Sequence, residues 1–219
     1  MHALYNFVTG PLAWVAFILF FGGMIYQITS RTLLARAKDG VVFEYWNFYY
    51  ALRSILHWIC PFASTNSRRH PVLTVVTFAF HLALLAAPLF LFAHITLINE
   101  AFGLSWWFLP DGLADGFTLL VIAACIFFAV RRQIQPDVRY LSTGSDYAVL
   151  FMVAAPFVSG FWAYHQFPGY SVVTILHIVS GEILLAAIPF TRLSHMFFFP
   201  LTRGYMGSEF GGVRMARDW

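Results

Sequence analysis

Charge is scarce in this sequence. Only 11% of its 219 residues are Asp, Glu, Lys or Arg, against about 25% in an average globular chain, and 60% are hydrophobic against about 45–50%. Such a chain cannot cover itself with a water-facing surface, so a soluble protein is excluded and most of the exterior must face lipid. Cysteine is nearly absent as well. Cys60 and Cys125 are too few to ligate an iron–sulfur cluster within the chain or to build a disulfide framework. No Cys-x-x-Cys-His occurs, which excludes c-type covalent haem attachment. Nor is there a nucleophile–base set, a phosphate-binding loop or a catalytic metal motif, so no substrate chemistry is expected of the chain alone. Nucleic acid is not expected among its partners.

What charge there is divides the apolar sequence into segments. A hydrocarbon core of about 30 Å takes about 20 apolar residues to cross. Five spans fit: 11–29, 71–98, 113–130, 147–164 and 172–198. The second and fifth are longer than needed, so they should tilt, kink or project. The expected fold is therefore an all-α, five-helix membrane bundle forming a single domain.

All thirteen Lys and Arg then fall on one side of the membrane. Arg31, Arg36, Lys38, Arg53, Arg68 and Arg69 follow span one; Arg131, Arg132 and Arg139 follow span three; Arg192, Arg203, Arg214 and Arg217 close the chain. The opposite side has only Glu100, Asp111 and Asp115. Positive charge stays cytoplasmic, which predicts an outside N-terminus and a cytoplasmic C-terminus in a bacterial or archaeal cytoplasmic membrane. The first span has no cationic segment before it and reads as a retained helix rather than a cleaved signal. Segment 41–62 is aromatic enough to imitate a sixth span, but it carries Glu44, Asn47, Arg53 and His57. It is expected to lie in the cytoplasmic interface, where aromatic and amphipathic helices settle.

Four of the eight histidines lie within spans: His81 and His94 in the second, His177 and His195 in the fifth. An imidazole in hydrocarbon is costly and marks function by default. Its neutral nitrogen ligates iron, so two histidines in each of two spans point to two stacked metal centres. His177 and His195 are eighteen residues apart, about five turns and about 27 Å along one face of an ideal helix. His81 and His94 are thirteen apart, about 20 Å with a phase difference of about 220°. Pro88 between them, like Pro189 in the fifth span, can kink the helix and change that phase. Spans two and five run antiparallel, so depth pairs His94 with His177 on the outer side and His81 with His195 on the inner side. Each pair would hold one haem iron. A metal-ion transporter is the rival class, and it requires carboxylates or thiolates near the histidines, where only Glu182 has the right depth. A haem-free structural anchor, its histidines bonded to backbone carbonyls or water, is a third class. His70 at the entry of span two is an alternative inner ligand, though it would leave His94 unexplained.

Three stretches carry a family resemblance. The first runs from Leu176-His177 to Pro189-Phe190-Thr191-Arg192-Leu193-Ser194-His195. The second is Val138-Arg139 followed by Ser142-Thr143-Gly144-Ser145-Asp146, and the third is Phe80-His81 leading to His94 and then Pro110. Together they resemble the gamma subunit of respiratory nitrate reductase and its relatives, dihaem cytochromes b with five spans. The resemblance implies two b haems with His81, His94, His177 and His195 as axial ligands. The chain departs from the nitrate reductase branch in its wider His81–His94 spacing, in the insert at 41–62, and in Ala114 between Asp111 and Asp115, where that branch has a lysine. These departures favour the branch serving transmembrane redox complexes of sulfate reducers, which implies a cytoplasmic iron–sulfur subunit as partner.

The remaining polar residues complete the expectation. Arg192 and Arg139 are candidates to pair with haem propionates or to reach lipid headgroups. Thr143, Ser145 and Asp146 should cap the fourth span. Gly181, one turn beyond His177, leaves room for a macrocycle or for close helix packing. Glu182, a carboxylate well inside the fifth span, is the candidate for proton exchange with a quinone such as menaquinone. The expected role is electron transfer through two haems, between a quinone pool or an outer-face cytochrome and the cytoplasmic partner.

Overall fold

The computed structural model describes residues 2–219, and no strand occurs among them. Helix α1 (His2–Phe7) runs through a π-helical turn (Val8–Leu12) into α2 (Ala13–Lys38). Three short helices follow: α3 (Val41–Glu44), α4 (Phe48–Ile59) and α5 (Thr65–Arg69). Then come α6 (Pro71–Phe90), α7 (Phe92–Phe102), α8 (Asp111–Ile134), α9 (Pro136–Leu141), α10 (Gly144–Tyr164) and α11 (Tyr170–Ala187). Two 3-10 turns, Ile188–Phe190 and Arg192–Ser194, lead to α12 (His195–Ser208) and a last π-helical turn, Glu209–Val213.

Five helical stretches are long and apolar enough to cross a membrane: His2–Lys38, Pro71–Phe90, Asp111–Ile134, Gly144–Tyr164 and Tyr170–Phe190. Their number and order follow the hydropathy of the sequence. Trp14, Ile18, Phe21 and Ile25 recur at helical spacing on α2, each more than half exposed. Such a stripe suits contact with lipid chains.

Three expected extents need correction. The second span, 71–98, is not one helix: Leu91 is extended (φ −73°, ψ 131°) and separates α6 from α7. The fifth, 172–198, breaks at the 3-10 turns, because Pro189 has no amide proton and Thr191 is extended (φ −122°, ψ −179°). His177 and His195 therefore do not share one helix face, and the five-turn spacing does not describe them. Segment 41–62, expected as one interfacial helix, holds two helices, α3 and α4.

The chain, expected to form one membrane domain, divides into two compact units. One holds Val76–Leu184 with the N-terminal segment up to Thr9; the other holds Gly10–Val75 and Leu185–Trp219.

In the first unit α8 packs along α10. Ala114, Thr118, Val121 and Cys125 recur at steps of four, three and four and are buried, as are Val153 and Pro156 on α10. Small side chains suit a helix pair in lipid, where close backbone approach replaces hydrophobic driving force. The start of α10 is capped as its sequence predicts. The Asp146 carboxylate accepts from the Thr143 backbone N–H at 2.8 Å and from its hydroxyl at 2.9 Å, and Arg132 lies 3.9 Å from it.

In the second unit α4 packs on α12. Gly204, Gly207 and Gly211 make this approach possible. A Cβ at Gly207 would lie 2.5 Å from both Ser54 Cβ and the Tyr50 carbonyl, and one at Gly204 would lie 2.5 Å from Trp46 Cη2. Asn47 caps α4, accepting from Tyr50 N–H at 3.3 Å, while its own N–H donates to Ser208 Oγ at 3.0 Å. The C-terminal residues close over the same seam: Ser54 Oγ donates to Asp218 Oδ2 at 2.5 Å, and the His57 and Trp219 rings stack at 4.0 Å. Elsewhere in this unit Gly23 on α2 admits Pro189, whose Cβ would be 2.8 Å from an added methyl group.

Candidate haem-ligating site

The break in the second span creates the first element of the site. A helix end leaves its last carbonyls without intrahelical donors. Here the Phe90 carbonyl accepts from Leu109 N–H at 2.9 Å and the Leu89 carbonyl from Trp106 Nε1–H at 2.8 Å. The Pro88 carbonyl accepts from Nδ1–H of His94 at 2.9 Å. A carbonyl cannot donate, so this partner assigns the proton of His94 to Nδ1 and leaves a lone pair on Nε2.

His177 on α11 repeats the arrangement. Its Nδ1–H donates to the Pro156 carbonyl of α10 at 2.8 Å. Its ring lies over Gly160, one turn along α10, where an added Cβ would be 2.8 Å from Cε1 and 2.9 Å from Nδ1. Only glycine leaves room for the ring there. The His94 and His177 rings, brought from different helices, stand 6.0 Å apart between centroids with planes 15° from parallel. The two rings are stacked, and each directs Nδ1 to a backbone carbonyl, so the pair expected at the outer side is brought together with Nε2 as the ligating atom of each ring.

His81 lies on α6 in the same unit, its Nδ1–H donating to the Thr77 carbonyl at 2.7 Å. Its ring meets Phe80 edge-on at 5.2 Å, and Phe80 in turn meets Phe128 at 5.3 Å. In the second unit His195 begins α12, its Nδ1–H donating to the Arg192 carbonyl at 2.8 Å. All four histidines singled out by depth thus direct Nδ1 to a backbone carbonyl. Histidines that bind metals through Nε2 are oriented in this way, and the bond raises their basicity. The same bond also satisfies a histidine that binds nothing, so the convergence of His94 with His177 is the stronger observation. The other histidines differ. His165 Nε2 is 3.1 Å from Asp115 Oδ1, and His57 Nε2 is buried with no partner among the described residues.

Both carboxylate oxygens of Glu182 are buried without a hydrogen-bond partner among the described residues. Beside it, a methyl group added at Gly181 would meet nothing within 4 Å. Arg192 is exposed in its 3-10 turn, and Arg139 is exposed on α9. Among the described residues no group of three or more His, Cys, Asp and Glu could hold a metal ion. Gly160 and the carbonyls of Pro88 and Pro156 escaped the sequence reading. Their only signal was a proline near each histidine's partner segment and a glycine one turn beyond Pro156.

A protein of Nitratidesulfovibrio vulgaris (strain Hildenborough), described only as "Protein", is 37% identical to this chain over 212 residues, covering 94% of this chain and 93% of its own. No family model matches the chain. No solved structure matches it.

Proposed function

We propose that this chain, which belongs to the same family as the Nitratidesulfovibrio vulgaris protein, is a dihaem cytochrome b of the nitrate reductase gamma subunit superfamily. In this reading it is the membrane subunit of a respiratory redox complex, with its N-terminus outside and its C-terminus in the cytoplasm. The observation that carries the reading is the near-parallel His94 and His177 pair at 6.0 Å, each ring held through Nδ1. His94 and His177 would hold the outer haem. By sequence depth, His81 and His195 would hold the inner one.

Bound haem supplies one-electron transfer. The chain's own residues do the rest. The carbonyls of Pro88, Pro156, Thr77 and Arg192 orient the four rings and strengthen them as ligands. Glu182, five residues beyond His177, exchanges a proton with a quinone such as menaquinone arriving through the bilayer. Arg192 and Arg139 would pair with haem propionates. The segments 31–70 and 199–219 form the face that docks a cytoplasmic iron–sulfur subunit; an outer-face cytochrome is the alternative partner on the other side. Ala114, in place of a lysine, favours the branch in transmembrane redox complexes over the nitrate reductase subunit proper.

The test is a reduced-minus-oxidised spectrum of the purified protein, with b-type bands and about two haems per chain expected. His94→Ala and His177→Ala should remove one spectral component, and His81→Ala and His195→Ala the other. A folded, colourless preparation would overturn the haem reading. Loss of the same component in His81→Ala and His177→Ala would overturn the pairing.

A further inference from the structure

Independently of the haems, the geometry of the second unit points to a binding site for an anionic phospholipid headgroup, its phosphate held between Arg53 and Arg217 while α4 lies in the membrane surface. On α4, Phe48, Leu52, Leu56 and Ile59 recur at helical spacing and are 75%, 41%, 52% and 51% exposed. Opposite them Ala51 and Ser54 are sealed against α12. An amphipathic helix with one apolar face outward and the other side packed on protein is built to rest on acyl chains.

At 100° per residue Arg53 falls roughly 100° from the centre of that stripe, the flank where a headgroup meets such a helix. The surrounding structure fixes its guanidinium. Its Cζ lies 4.9 Å from the centre of the Tyr50 ring and 5.1 Å from that of Trp219, and Nη2 donates to the Ala216 carbonyl at 3.2 Å. Nε is buried without a partner among the described residues, and among them Nη2 alone of the five donors has a hydrogen bond, which leaves donors of the fork for an anion. A cavity of about 210 Å³ opens here, lined by Arg53 and Arg217 together with Tyr50 and Gly211.

Of the nearby acids, Asp218 takes the Ser54 hydroxyl on Oδ2, which lies 3.8 Å from Arg203, while its Oδ1 is buried without a partner among the described residues; Glu209 pairs with Arg214. Residues 10–75 and 185–219 carry ten Lys and Arg against four Asp and Glu. This excess complements an anionic lipid, and the apolar stripe beside the arginines favours a lipid over a free anion.

Lipid-stripped, full-length protein in detergent would be titrated with phosphatidylglycerol or phosphatidylcholine, retained lipid being counted by native mass spectrometry. Phosphatidylglycerol should be retained in preference, and Arg53→Gln and Arg217→Gln should each weaken its binding about fivefold. If Arg53→Gln fails to fold, the exposed Arg217 decides alone. Equal retention of both lipids overturns the proposal, as does unchanged phosphatidylglycerol binding in Arg217→Gln. Inorganic phosphate is the control anion: saturable phosphate binding without any lipid preference also overturns the assignment to a lipid.

Discussion

Replacing Gly160 by alanine tests the proposed ligation at its tightest point. The new Cβ would stand 2.8 Å from His177 Cε1, whereas ordinary contact begins near 3.4 Å, so the ring must retreat by about 0.6 Å. Pro156 lies one turn before Gly160 on the same face of α10. Retreat from one is therefore retreat from the other, and the 2.8 Å bond from Nδ1 to the Pro156 carbonyl lengthens beyond the usual 2.7–3.2 Å. Forcing a methyl group into a packed site costs roughly 1–3 kcal/mol. At about tenfold per 1.4 kcal/mol, retention of the haem assigned to His94 and His177 should weaken roughly 5- to 150-fold. Pyridine haemochrome content and a redox titration would read the loss as a fall in one b component, with the other intact. Gly116→Ala on α8 is the control, since a Cβ there meets nothing within 4 Å. Wild-type haem content and an unchanged midpoint potential in Gly160→Ala would refute the reasoning. So would an equal loss in Gly116→Ala.

Two further predictions concern titratable groups. Glu182→Gln should slow quinol-driven reduction of the outer haem at least about tenfold while both haems remain, because it removes a proton carrier and keeps the shape; unchanged stopped-flow kinetics would make Glu182 a structural acid. Burial holds the His57 imidazole below its ordinary pKa of 6.5, opposed by Asp218, which raises it, and reinforced by Arg68 and Arg217. The unfolded segment then binds the proton first, so stability of the second unit should rise with pH through the window just below 6.5 and fall as pH drops through it. Trp219 emission during thermal unfolding would follow this, and His57→Phe, which keeps the stacking, should flatten the dependence.

Composition and local pattern alone determined the number and order of the membrane-spanning helices, because 20 apolar residues in a row have few other uses. The cap of α10 was equally legible, since Thr143 and Asp146 are three residues apart and need nothing distant to meet. The prolines also announced that spans two and five would be disturbed. Where they break was decided by distant partners. Leu91 can leave the helix because Leu109 and Trp106, well along the chain, satisfy the carbonyls of Phe90 and Leu89. Ideal-helix phase does not carry across those breaks, because His94 and His195 stand on different helices from His81 and His177. Gly160 gained its meaning only when His177, seventeen residues later, returned to lie on it. The Ser54–Asp218 bond joins residues 164 apart. No local pattern encodes such contacts, since each arises when helices approach closely enough for one side chain to fill the space another leaves.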